Sequence, residues 1–371
     1  MSAISYPSLA TALSRWGTRL GRMRSGPTWQ EFAGHTYGLN PWFEATMLDH
    51  ALQAWSKALD LDQVSMWLDA WAEAEKAHSV ATRPTPVKVG LVLPGNIPLA
   101  GLHDVLSVLV AGHLAVVKPS SEDAGLVQWA VNLLLQEIPE WSERVTWVDR
   151  LVGVDAVVAT GSDSSLPYFE QYFGHLPHLF RRNRTATALL WGHESADDWA
   201  ALAHDVFLYY GKGCRNVSRL LLPSSMAPEQ VLEPLSKYFK GEGLHHRYRQ
   251  NLDYQIAMQM LDKKPYWHNG SLVLRPNPEP ASPVGVLHCA TYENPQELAA
   301  LILPYLSQTQ CIATKMPNNP LTQDPRWRQG FTEAQWEEIQ RLWVGLGQCQ
   351  HPRLWDYADG VNLVTWLSGP L

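Results

Sequence analysis

Val87–Gly101, VKVGLVLPGNIPLAG, is the stretch on which the fold turns. It begins as a near-continuous Val/Leu run and stops at Pro94-Gly95, the pattern of a strand buried on both faces and ended by a turn. The same pattern repeats outward from it. Residues 102–112 (LHDVLSVLVAG) have helical spacing, 113–120 (HLAVVKPS) form a second strand, 124–138 (AGLVQWAVNLLLQEI) a second helix and 154–162 (VDAVVATGS) a third strand. Strands of this kind, separated by helices of roughly 10–15 residues, predict a parallel sheet covered on both faces. In such doubly wound sheets, ligands sit beyond the carboxyl ends of the strands. Three polar interruptions fall there: PGN at 94–96, KPSS at 118–121 and TGS at 160–162.

The rest of the chain extends this plan. Residues 42–77 place Trp, Leu and Ala at three- and four-residue intervals among Asp, Glu and Lys, which predicts an amphipathic helical layer over residues 1–80. ATRPTP at 81–86 ends that layer, and a doubly wound domain follows over 81–190. From RTATALLWG (184–192) onward the alternation of strand and helix resumes, predicting a second α/β domain over 191–350. The tract from 315 to 330 reads as a loop. Residues 351–371, containing DGVNLVTWLSG, read as a terminal strand that packs back or pairs with another subunit. The expected fold class is α/β in two domains.

Composition excludes some functions. A net charge of −7 without a Lys/Arg run lacks the electrostatic footprint of a nucleic-acid binder. No stretch reaches the roughly 18 apolar residues of a membrane span, and the N-terminus lacks a secretion signal's apolar core, so a cytoplasmic protein is expected. Four separated cysteines (Cys214, Cys289, Cys311, Cys349) without a CxxC pair argue against a zinc site or a disulfide framework. His245-His246 lacks a third ligand at helical spacing, so no metal is expected. The 17 Trp would serve core and interface packing, or line an apolar tunnel.

Several segments could carry chemistry. Cys214, in YGKGCRNVS (210–218), has glycines at 211 and 213 and cations at 212 and 215, which favour tight turns and a thiolate; the alternative is a small buried side chain near a turn. Asn96 could donate to an oxyanion or belong to an ordinary Pro-Gly-Asn turn. Lys118 would bring a positive charge to the ligand edge. Gly161 and Ser162 open the helix SSLPYFEQYF and could receive a phosphate, or Ser162 could be a simple helix cap. GxGxxG, GxxxxGK[ST] and GxSxG are all absent.

Taken in order, PGN, VVKPS, ATGS and the glycine-flanked cysteine resemble the aldehyde dehydrogenase superfamily. The chain is most similar to the acyl-CoA reductase branch, related to the fatty acyl reductase of bacterial luminescence, through LVLPGNIPLAG, RRNRTATALLWG, DVFLYYGKGCRNVSRLLLP, HHRYRQNLDYQ, TQCIAT and DGVNLVTWL. The resemblance runs from about residue 85 to the end and implies a Rossmann-type cofactor domain followed by a catalytic domain. It implies that Cys214 accepts the acyl group, Asn96 donates to the oxyanion, Lys118 contacts the adenosine ribose, and Gly161 and Ser162 line the pyrophosphate. It also implies an acyl-CoA or acyl-carrier-protein thioester substrate and a homo-oligomer.

Two departures refine that expectation. Aldehyde-oxidising members carry a general-base glutamate upstream of the cysteine, whereas LFRRNRTATALL (179–190) has no carboxylate. An acyl-enzyme that is not handed to water needs no such base, which favours acyl-CoA chemistry. Where NAD-preferring members place a glutamate three residues after the lysine, this chain has Ser121. That leaves room for a 2′-phosphate and points to NADPH, with NADH left open by the following Glu122 and Asp123.

Overall fold

The computed structural model of the protein describes residues 5–77, 86–239, 245–315 and 325–369. They form two compact units, 1–183 with 351–371 and 184–350. The division falls just before the strand of RTATALLWG, because that strand pairs only within the second sheet.

The first unit opens with α1 (Tyr6–Arg22), α2 (Pro27–Leu39), α3 (Ala45–Ala58) and α4 (Leu61–Ala77). The inward stripe of α1, Leu9, Leu13, Trp16 and Leu20, follows the three- to four-residue helical period and is buried. Trp67 and Trp71, one turn apart on α4, are buried edge to face. The sheet strands are β1 (Lys88–Val92), β2 (Leu114–Lys118), β3 (Val145–Trp147), β4 (Ala156–Thr160) and β5 (His178–Arg181). Their order is β3-β2-β1-β4-β5 and every pairing is parallel. Helices α5 (Leu102–Val110), α6 (Leu126–Glu137) and α7 (Leu166–Phe173) connect them. Between β3 and β4 the chain crosses without a helix, and Gly90 makes room for it: a Cβ there would lie 3.0 Å from Leu151 Cδ1 and 3.2 Å from Val154 Cγ1. α1 packs on α6, and Trp16 Nε1 donates to Ala130 O at 3.0 Å.

The second unit has a seven-stranded sheet. Its strands are β6 (Thr185–Leu189), β7 (Val217–Pro223), β8 (Trp267–His268), β9 (Val273–Pro276), β10 (Val286–Tyr292), β11 (Thr309–Thr314) and β12 (Trp343–Gly345), ordered β12-β11-β6-β7-β10-β9-β8. Only the β8–β9 edge pair is antiparallel. Helices α8 (Ala196–Phe207), α9 (Leu232–Ser236), α10 (His246–Asp262), α11 (Pro295–Ile302) and α12 (Glu333–Gln340) complete it. Trp191, Trp327 and Tyr292 meet edge to face, so these tryptophans serve packing.

The terminal segment corrects an expectation. Instead of a strand, residues 363–368 form α13 (Leu363–Ser368), capped by Asn362 Oδ1, which accepts from the Thr365 N–H at 3.3 Å. The β-branched and aromatic composition suggested a strand, but Leu363, Val364 and Leu367 are buried at helical spacing. The segment belongs to the first unit: α13 packs on α4 and α5. His103 Nε2 donates to Leu354 O at 2.7 Å, and His113 Nε2 donates to Leu367 O at 2.9 Å. Burial lowers the pKa of both histidines. The neutral rings hold the segment through their N–H groups.

A buried ion pair sets up the first test. Arg181, at the end of β5, donates from Nη1 to Asp104 Oδ1 and Oδ2 on α5 at 2.8 and 2.7 Å, with both side chains under 8 % exposed. Its Nε and Nη2 are buried without a hydrogen-bond partner among the described residues. Arg181→Met, leaving Asp104 buried and unpaired, should cost about 3–5 kcal/mol in urea unfolding. Adding Asp104→Leu should recover most of that loss; a double variant as unstable as the single would refute this account of the pair.

Candidate active site

In the first unit, strand register brings the three polar interruptions to one edge of the sheet. Val92 pairs with Lys118 on one side and Ala159 on the other, and Thr160 pairs with Arg181. Strand order reverses between β1 and β4, the place where doubly wound sheets open a crevice at the strand ends. The loop after β1 lies against the loop after β2. Leu93 N–H donates to Lys118 O at 3.1 Å, and a Cβ on Gly95 would come 2.6 Å from Ser120 Oγ and 2.8 Å from the Asp123 nitrogen. Glycine at 95 is thus a condition of that contact. Asn96, next in line, is half-buried in the bend that leads to Leu99, held at φ +61°.

The loop after β2 sorts its polar groups by exposure. Ser120 Oγ accepts from the Glu122 N–H at 3.2 Å and starts a 3-10 turn over Ser121–Asp123. Ser121 and Glu122 face solvent, but Asp123 is fully buried, its Oδ2 accepting from the Val127 N–H at 2.9 Å in the first turn of α6. Burial pushes this carboxyl up to about 7, against the lowering pull of the Val127 and Leu126 N–H groups. Asp123 therefore caps a helix, and Glu122 is the carboxylate left exposed beside Ser121.

The loop after β4 differs from the sequence reading. α7 begins at Leu166 and not at Ser162, because Ser162 O accepts from the Ser165 N–H at 2.8 Å and closes a separate turn first. Ser162 Oγ lies 2.7 Å from Ser164 Oγ and 3.1 Å from Ser165 Oγ, so three hydroxyls cluster on that turn. Gly161 is pressed against α7; a Cβ there would be 2.8 Å from Phe169 Cε2.

Cys214 lies in the second unit, on the turn entering the amino end of β7. Asn216 N–H donates to Gly213 O at 2.9 Å, and Gly213 N–H donates to Asn216 Oδ1 at 2.8 Å, so two bonds between the same residues close the turn around Cys214. Cys214 is exposed; Cys289, Cys311 and Cys349 are buried. Burial pushes the Cys289 thiol up to about 12, and the neighbouring Cys311, together with burial, raises that of Cys349. Arg215, expected to acidify the thiol, donates from Nη1 to Cys349 O at 3.5 Å. Upstream, Tyr209, Tyr210 and Gly211 are left-handed in succession (φ +52°, +56° and +75°), a strained approach for the two tyrosines. Asp205, in the last turn of α8, accepts from Gly347 and Cys349 N–H groups at 2.6 and 3.1 Å, and burial pushes its carboxyl up to about 7. Sequence reasoning passed over Asn216 and Asp205; the signal available for Asn216 was the turn preference of asparagine beside glycine.

No family model and no curated protein matches this chain. Solved structures do. An oxidoreductase from Marinobacter aquaeolei is 12% identical, covering 99% of this chain and 85% of its own, at a TM-score of 0.65. An NAD-dependent benzaldehyde dehydrogenase from Corynebacterium glutamicum is 12% identical over 93% and 82% at 0.61. A Mycobacterium tuberculosis aldehyde dehydrogenase complexed with NAD+ is 13% identical over 88% and 76% at 0.58. The chain has the aldehyde dehydrogenase fold. Among the described residues, no helix is long and apolar enough to cross a membrane.

Two outcomes are expected. Iodoacetamide should modify the native protein at Cys214 alone, read by peptide mass spectrometry, with the other three cysteines reacting only after unfolding; equal labelling of all four would contradict their burial. The second concerns Asp123, whose folded carboxyl holds its proton to about pH 7, against an ordinary value of 3.8. The folded state therefore binds more protons between about pH 4 and 7, and this group's contribution to stability is lost as pH rises through that window. Asp123→Asn keeps an acceptor for Val127, so its stability relative to wild type should increase from pH 4 to 7 in urea titrations.

Proposed function

We propose that the protein reduces an acyl-CoA, of the fatty acyl class, to the aldehyde through an acyl-cysteine on Cys214, with NADPH as reductant. The observation that carries this reading is the exposed Cys214 on a doubly closed turn, while the other three thiols are buried. Support for the acyl-CoA branch comes from residues 179–190, which contain no carboxylate to activate water.

The first-unit edge suits a nicotinamide dinucleotide. Its donors are cationic and hydroxylic: Lys118 at the end of β2, Ser121 beyond it, and the serine turn at 162–165 with Gly161. Lys118 and Ser121 would hold the adenosine ribose and its 2′-phosphate, and Gly161 and Ser162 the pyrophosphate. Asp123, turned inward onto α6, offers no competing charge, which favours NADPH; exposed Glu122 keeps NADH a measurable competitor. When bound, the cofactor supplies hydride to the acyl carbon.

The chain's own chemistry is thiol exchange. Cys214 sulfur attacks the thioester carbonyl, its bond to carbon forms as the carbon–sulfur bond to CoA breaks, and CoA leaves as a thiol after taking a proton. The Cys214 N–H and, by the resemblance, the Asn96 carboxamide would donate to the oxyanion; one such donor contributes about 3 kcal/mol to a transition state. After reduction, the sulfur–carbon bond of the thiohemiacetal breaks, releasing aldehyde and returning the thiolate.

Mixing the protein with NADPH and a panel of acyl-CoA and acyl-carrier-protein thioesters should consume NADPH and yield aldehyde. Cys214→Ser should lose both aldehyde formation and labelled acyl-enzyme while still binding NADPH. Turnover of aldehyde with NAD+ in the absence of CoA, and none with thioesters, would instead identify an aldehyde-oxidising enzyme.

A further inference from the structure

Asn216, two residues after Cys214 and 1% exposed, uses every polar group it has. Its Nδ2 donates to Asp205 O at 3.0 Å and to Leu208 O at 2.7 Å, with Val206 O at 3.4 Å. Its Oδ1 accepts from the Gly213 N–H, its own N–H donates to Gly213 O, and its carbonyl accepts from the Ala186 N–H at 3.2 Å in β6. Asp205 O and Val206 O belong to the last turn of α8, whose carbonyls have no helical N–H ahead of them, and Leu208 is where the chain departs. One carboxamide thus caps the end of α8 and closes the Cys214 turn, spanning the left-handed run Tyr209–Gly211 between them. Backbone held in a sparsely populated region persists only where its surroundings fix it, and such segments gather at functional sites.

We infer that Asn216 is a positioning residue for Cys214: its side chain ties the thiol-bearing turn to the end of α8 and fixes where the sulfur and the Cys214 N–H point. The inference rests on the reading of Cys214 as the nucleophile. A purely structural asparagine would affect stability alone. A positioning one also sets the reactivity of the thiol in protein that remains folded.

The experiment compares wild type, Asn216→Ala and Asn216→Asp as full chains at temperatures where circular dichroism shows them folded. Asp preserves size and the acceptor for Gly213 but turns an acceptor toward the α8 carbonyls. The readouts are the pH profile of Cys214 carbamidomethylation and the steady-state constants for NADPH-dependent acyl-CoA reduction. The expected result is a displaced alkylation profile, with the midpoint for Asn216→Asp moved upward, and a kcat lowered by about 10²-fold, the cost of a misplacement near 1 Å, at an unchanged KM for NADPH. Folded variants whose alkylation profile and kcat both stay within about twofold of wild type would overturn the inference, twofold being under 0.5 kcal/mol. Should both variants fail to fold, hydrogen exchange on the wild type decides: strong protection of the Gly213 amide supports the clamp, and exchange at the unstructured rate overturns it. If Cys214→Ser retains turnover, the nucleophile reading falls while the alkylation comparison still reports on positioning.

Discussion

Parallel pairing is the constraint on which the rest of the structure depends. A parallel strand covered on both faces must be apolar along its length, and its polar residues are pushed to its ends. In the first unit this moves Lys118 to the last position of β2 and leaves Pro94–Asn96 and Gly161–Ser162 just past β1 and β4. The strand order then reverses between β1 and β4, so these interruptions share an edge by register. Close packing finishes the arrangement: Gly95 and Gly161 each sit where a Cβ would meet a neighbour at under 3 Å. The polar edge is therefore a product of sheet construction before it is a product of any one motif.

The second unit applies the same constraint with a different result. Cys214 precedes its strand, so strand burial does not expose it; the turn does. Left-handed tyrosines cost energy that glycines would not, yet they stand here in succession. The aromatic bodies of Tyr209 and Tyr210 are buried, and Tyr210 packs against Phe239, His245 and Tyr248. Packing thus offsets part of the backbone strain, and in the turn beyond them Cys214 is the residue left exposed.

What the sequence disclosed and what it concealed separate along the same physical line. The central strands and their crossover helices were legible because an apolar run ended by Pro-Gly, or a three- to four-residue period, has few other meanings. Short edge strands carry no such signal: β3 is three residues long and β8 two, and both exist because a neighbour pairs with them. The last helix misled through composition, since Val, Thr and Trp favour strands while the burial of Leu363, Val364 and Leu367 is helical. In the candidate site, the residue types that bring chemistry stood out, whereas Asn216 and Asp205 did not. Their importance lies in partners that are backbone groups, and no residue identity marks a backbone partner in a sequence.

That distinction also bears on the two buried carboxylates. Asp123 and Asp205 are both pushed up to about 7 by burial, and perturbed groups of this kind often mark catalytic acids and bases. Here each carboxylate accepts backbone N–H bonds: Asp123 from the first turn of α6, Asp205 from the 347–349 segment. Their titration near neutrality is the consequence of burying a cap, and a structural one suffices to explain it. Asp205 nonetheless sits one bond from the cysteine turn, since its carbonyl accepts from Asn216 Nδ2. Ionising it would place a charge beside the end of α8, at the anchor of the Cys214 turn.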